Sequence, residues 1–114
     1  LNGTRSLSQA LEAGRLSEAQ WQAIGQCIRR FHQAGVYHAD LNAHNILLTD
    51  GSKKIEDAVW LIDFDKGEIR PATRDWQMAN LSRLRRSLDK LSGLHASFHF
   101  DESDWQQLMV GWEG

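Results

Sequence analysis

The chain has 114 residues, about one ordinary domain, and 41% of them are hydrophobic against 25% charged. That balance fits a soluble globular fold with a core. The net charge of −2 gives no global field for nucleic acid, and the single cysteine, Cys27, excludes both an internal disulfide and a cysteine-rich zinc site.

The opening "LNGTRSLSQAL" lacks a starting Met, a basic n-region and a long apolar core, so it is not a signal peptide and suggests a fragment or a processed piece. No apolar run approaches the roughly 20 residues that span a bilayer. Arg5 to Gly14 predicts a short helix, with Ser6 as cap and Leu7, Ala10 and Leu11 on one face. Leu16 to Gly35 predicts a second and longer helix. Ser17 and Gln20 have capping-box spacing, and Trp21, Ile24, Ile28 and Phe31 recur at helical spacing. Gly35 stands where a left-handed terminator belongs. Gly25 inside this helix costs about 1 kcal/mol relative to Ala, which implies close packing against another helix. Cys27, between Ile24, Ile28 and Phe31, is expected to be a small core residue.

"VYHAD" is short and extended, and "HADLNAHN" (His38 to Asn45) follows within it. Its two histidines, one aspartate and two asparagines suit a metal cage, a catalytic loop or a polar turn. A β-hairpin is predicted next. Asn45 to Thr49 forms one arm and Ala58 to Ile62 the other, with Asp50-Gly51 as a turn signal. Pro71 marks a break. Residues 74–91 return to helical spacing through Met78, Leu81, Leu84, Leu88 and Leu91. A last helix is predicted within 101–112, where Trp105, Leu108, Met109 and Trp112 form a core stripe. The order is helix, helix, polar loop, hairpin, helix, helix, an α+β arrangement unlike a doubly wound sheet.

In an antiparallel pair, the start of one strand lies beside the end of the other. Asn45 and Asp63 should therefore meet at one end of the hairpin, although they are 18 positions apart. Asp40 enters the same end. Such oxygen-only groups suit a hard cation such as Mg²⁺, which keeps waters and leans on substrate phosphates. A separate carboxylate can accept a proton from an attacking hydroxyl. Together these meet the needs of phosphoryl transfer.

These residues also carry a resemblance. "HADLNAHN" followed by "DFD" resembles the H-x-D-L-x-x-x-N loop and the D-F-G element of the protein-kinase-like superfamily. "YHADLNAHNILL", "LIDFDKG" and "NLSRLRRSLDK" are similar to the Kdo kinases of Gram-negative bacteria, from about Leu7 to the end of the chain. The resemblance implies a mostly helical C-terminal lobe of a kinase-like fold over residues 1–114, with the hairpin carrying the catalytic loop and the metal-binding Asp. It implies Asp40 as the catalytic base, Asn45 and Asp63 as Mg²⁺ ligands, and ATP as the phosphoryl donor. The acceptor would be a hydroxyl on carbon four of Kdo (3-deoxy-D-manno-octulosonic acid) attached to a lipid A precursor. The enzyme would work in the cytoplasm, peripherally, at the inner-membrane surface.

In this frame His38 is structural and holds the loop. His44 can contact phosphate or acceptor, or pack the loop. Asn42 stands where protein kinases typically carry Lys, which argues against a protein substrate. Asp65 replaces the Gly of D-F-G, and either touches a second metal or the acceptor or is a solvated turn residue. His32, His95 and His99 have no evident partners and are expected to be ordinary surface or core histidines.

Arg70, Arg74, Arg83, Arg85 and Arg86, with Lys66 and Lys90, make the second half locally basic. Most are expected to be solvated, but some of Arg70, Arg74, Arg83 and Arg86 are candidates for binding the acceptor's carboxylate and phosphates. No Gly-rich phosphate loop, phosphate-pairing Lys strand or Glu-bearing helix is found, so the N-terminal nucleotide-binding lobe is expected to be missing and the chain alone to have little or no kinase activity. Competing readings are an aminoglycoside- or choline-type kinase, a metal hydrolase using His38, Asp40 and His44, and a lobe that only scaffolds or binds.

Overall fold

The structure is a computed structural model and describes residues 4–37, 41–49, 59–61, 68–69, 74–94 and 97–114. Its elements in chain order are β1 (Thr4–Ser6), α1 (Leu7–Ala13), α2 (Glu18–Gln33), β2 (Val36–Tyr37), β3 (Ile46–Thr49), β4 (Val59–Leu61), β5 (Glu68–Ile69), α3 (Arg74–Leu94) and α4 (Glu102–Glu113). This is an α+β arrangement with its helices covering two small sheets.

Local chemistry sets three of the helix starts. The Ser6 hydroxyl accepts from the Gln9 N–H, and the Gln9 side chain accepts in return from the Ser6 N–H. Ser17 and Gln20 make the same exchange, as their spacing predicts. Asp101 and Asp104 repeat it at α4. Each box satisfies donors that the first helical turn leaves without intrahelical partners. Gly35, at φ 79°, takes the left-handed conformation past the end of α2.

The helices pack around Trp21, Ile24, Ile28, Leu84, Leu108 and Trp112, none of them more than 1% exposed. The α2–α4 seam is the closest helix pair, and glycine makes it possible. A Cβ at Gly25 would run into the Leu108 carbonyl, and one at Gly111 into the Gln22 carbonyl. The helical glycine that the sequence flagged is therefore explained by backbone-to-backbone approach. Cys27 is buried, as expected, and burial pushes its thiol above the ordinary value despite Arg30.

The hairpin is present, with β3 and β4 antiparallel in the register Ile46↔Leu61, Leu47↔Trp60 and Leu48↔Val59. Two things differ from expectation. The first predicted helix is capped by Ser6, as expected, but residues 4–6 also form a strand, β1, that pairs antiparallel with β3. A three-residue strand with no apolar alternation has no periodic signature of its own; it exists because β3 offers an edge.

The second correction concerns His32, which is 2% exposed and fully engaged. The Trp112 indole N–H donates to His32 Nδ1 over 3.0 Å, and His32 Nε2 lies 3.0 Å from Asn80 Oδ1. An indole N–H can only donate, so Nδ1 is the bare nitrogen and Nε2 carries the proton to Asn80. Trp76 packs edge-on to the same ring at 5.2 Å, and Gln77 donates to the His32 carbonyl. These partners lie 44 or more positions away in the chain, out of reach of any local pattern. His95 falls outside the described residues.

Candidate functional site

The polar turn at 41–45 is held from three sides. Leu41 and Ala43 are buried, so the turn is anchored by its apolar residues. The Ala43 carbonyl accepts from the Ser8 N–H, one of the unpaired donors in the first turn of α1. The Ala43 N–H donates to the Ser87 hydroxyl on α3. Within the turn, the Asn42 side-chain oxygen accepts from the His44 N–H at 2.8 Å, and the Asn42 carbonyl accepts from the Asn45 N–H at 3.1 Å. Asn42 thus shapes the turn itself, an Asx-type role that its neighbours in sequence suggest only in outline.

Two strand ladders flank the turn. Residues 38–45 run from β2 to β3, and residues 62–67 run from β4 to β5. β3 pairs with β4, and β2 pairs with β5 through Val36↔Ile69 and Tyr37↔Glu68. The strands that flank the two segments are therefore paired at each end. Asn45, 7% exposed, immediately precedes Ile46, whose partner Leu61 is two residues before Asp63. His38, Asp40, Asp63, Asp65 and Arg70 lie outside the described residues.

His44 is exposed, but its Nδ1 lies 3.0 Å from the Ser8 hydroxyl, which in turn contacts the Ser6 hydroxyl. This ties the turn to the start of α1. Asn45 supplies an amide oxygen of the kind that Mg²⁺ accepts as a ligand. Among the described residues no three His, Cys, Asp or Glu side chains gather as a metal cluster. The trio needed for a metal hydrolase includes His38 and Asp40, outside the described residues.

The four candidate arginines do not form one group. Arg74 pairs with Glu113 at 2.9 Å, and its guanidinium lies 5.3 Å from the Trp112 ring, beside α4. Arg83 and Arg86 line a groove with Asn42 and His44. Lys90, Ser87, Leu91 and Leu94 line it too, and the sequence offered only their helical spacing as a clue. Arg85 faces elsewhere and binds Asp89 and Glu102, whose carboxylates hold its pKa up.

Comparison with known proteins adds a family. The sequence model of the Lipopolysaccharide kinase (Kdo/WaaP) family matches residues 1–112. A 3-deoxy-D-manno-octulosonic acid kinase of Xanthomonas axonopodis pv. citri is 50% identical over 115 residues, covering 99% of this chain and 43% of the relative. Proteins of the same name from Stenotrophomonas maltophilia and Xylella fastidiosa are 53% and 49% identical over 94 residues, or 82% of this chain and 35% of each relative. The chain thus spans less than half the length of the curated relatives it matches.

Proposed function

The chain belongs to the lipopolysaccharide kinase (Kdo/WaaP) family, and from that membership we propose that it is the C-terminal lobe of an ATP-dependent kinase acting on a lipid-linked Kdo sugar. The observation that carries the proposal is the pairing of the strands that flank 38–45 and 62–67, β3 with β4 and β2 with β5. It supports an active site shared by Asp40 on one segment and Asp63 on the other.

In this reading Asp40 accepts the proton of the acceptor hydroxyl. The hydroxyl oxygen then bonds to the terminal phosphorus of ATP as the bond to the ADP oxygen breaks. Asn45 and Asp63 would hold Mg²⁺, which when bound neutralises charge on the phosphates. His38 would hold the loop, and Asp65 would face the acceptor or a second metal. Asn42 and Ser87 keep the turn rigid, so the base need not be reorganised as charge develops. The acceptor is a Kdo hydroxyl of a lipid A precursor, approached at the cytoplasmic face of the inner membrane. No described helix is long and apolar enough to cross a membrane.

Nucleotide binding would require a partner lobe preceding this one in the full-length protein. The lobe alone should then show negligible turnover in a radiolabelled-ATP assay, and near-family rates would refute that part. In the full-length protein, Asp40→Asn should lower kcat on Kdo-lipid acceptor by about a thousandfold, within the usual range for a lost general base. Mass and NMR analysis of the product would locate the phosphate. Near-wild-type turnover by Asp40→Asn would refute the assignment.

A further inference from the structure

Three helix ends meet at His32. It lies in the last turn of α2; α3 supplies Trp76, Gln77 and Asn80 from its first two turns, and α4 supplies Trp112 from its last. Ring and backbone are both engaged. The ring takes the Trp112 N–H on Nδ1 and gives its own proton to Asn80. The carbonyl accepts from the Gln77 amide at 3.1 Å and from the Gly35 N–H at 3.0 Å. The Gly35 contact ties the ring to the loop. Gly35, left-handed at φ 79°, turns the chain out of α2 into β2, and β2 runs directly into residues 38–45.

This joint is sensitive to a proton. An indole N–H can only donate, so a proton on Nδ1 would set two N–H groups against each other. Arg29 on α2 and Arg74 on α3 line the cavity beside the ring, and Glu113 on α4 pairs with Arg74. Two cations against one carboxylate disfavour a third positive charge there. Asp75 on α3 is exposed. Of the strands packed on α2, β2 brings Tyr37 and β4 no titratable residue. His32 lines the cavity although it is only 2% exposed, so solvent has a path to the ring.

We propose that His32 is a positioning residue for the segment 38–45. While Trp112 and Asn80 hold its neutral ring, the end of α2 and β2 stay fixed and the loop is set for turnover. Protonation breaks the hold of α4 and releases the loop, so acid silences the site before the protein unfolds. The effect on turnover rests on the kinase reading; the link between His32 and the loop does not.

The test follows the full-length protein over about three pH units centred on the ordinary histidine pKa. Nitrogen NMR of the His32 ring should show Nδ1 bare and Nε2 protonated at the high end, with protonation only below the ordinary value, since burial opposes it. Amide protection at Val36, Tyr37 and 41–45, corrected for the intrinsic effect of pH, should fall in step with that titration and before global unfolding. These two arms need no variant, so a misfolded mutant cannot hide the answer. In turnover, kcat should fall with the same midpoint while both KM values hold. Trp112→Phe removes the indole N–H and keeps a ring; it should move that midpoint up by about half a unit or more, the effect of one lost hydrogen bond. His32→Gln should abolish the step and lower kcat at high pH by about tenfold, as a small displacement of a reacting group does.

Protection at 36–45 that ignores the titration of His32 would overturn the proposal. So would a kcat step that keeps its midpoint in both variants, because a merely structural histidine changes the amount of active protein and leaves the step in place. Loop protection that follows His32 in a protein that phosphorylates no Kdo would sink the kinase reading and leave the joint standing.

Discussion

The two halves of α3 carry similar kinds of residue and use them in opposite ways. In the first half, Gln77 and Asn80 are buried, and both reach His32 on α2. In the second half, Arg83, Arg86 and Lys90 are exposed along a groove, and Ser87 steadies the turn at Ala43. Buried polar groups must be paired or they cost stability, so the first half is committed to the fold. The second half leaves charge at the surface beside the loop, where a ligand can use it. The difference lies in what the partners satisfy rather than in polarity as such.

The sharpest way to break the comparison lies in the seam that the first half supports. Gly25→Ala places a methyl against the Leu108 carbonyl, where backbone faces backbone and neither side chain can yield. Urea unfolding should show a loss of about 3 kcal/mol or more. Asn80→Ala comes next. It strands the proton on His32 Nε2 inside the core and should cost about 1–3 kcal/mol by the same measurement.

The histidine also sets a pH dependence. Burial lowers the His32 pKa below its ordinary value of 6.5, although the Asn80 hydrogen bond opposes this. Protonation at Nδ1 would set a second N–H against the Trp112 indole N–H. The unfolded chain therefore takes up a proton that the folded one refuses. This contribution is complete above pH 6.5 and declines as pH falls through 6.5 toward the lowered folded value. Thermal midpoints between pH 7.5 and pH 5, buffer values set at about one unit or more on either side of the ordinary histidine pKa, should fall in the parent protein. They should fall less in His32→Gln; equal falls would mean another group is responsible.

On the other half of α3 the effects should be smaller. Ser87→Ala removes the acceptor for the Ala43 N–H and should cost about 1 kcal/mol. Faster amide exchange should be confined to the turn. Arg86→Ala should change unfolding by less than about 0.5 kcal/mol, as befits an exposed side chain with no ion pair among the described residues. A large loss there would remove the contrast between the halves.

Much of the local architecture was legible in the sequence because its causes are local. Capping pairs lie three residues apart, and apolar faces recur every three or four residues. Gly25 announced a close approach, because an interior helical glycine needs a reason. The hairpin followed from two apolar runs around a turn signal, and its antiparallel sense brought Asn45 toward the Asp63 end. The motifs around Asp40, Asn45 and Asp63 suggested a kinase family, and the match to residues 1–112 places the chain in it.

What remained hidden depends on residues far apart in the chain. β1 is a strand only because β3 presents an edge to it. The state of His32 is set by Trp112 and Asn80, 80 and 48 positions away. The turn is held by Ser8 and Ser87, neither of which carries a motif. The sequence by itself determined the helices, the hairpin and the chemical kinds present at the loop, since periodicity, capping and turn preference act over a few residues. Only the tertiary structure decided which polar groups are satisfied and which cations stand together. Burial and hydrogen-bond partnership are properties of the packed chain, and they send Arg74 to α4 while Arg83 and Arg86 stay beside the turn.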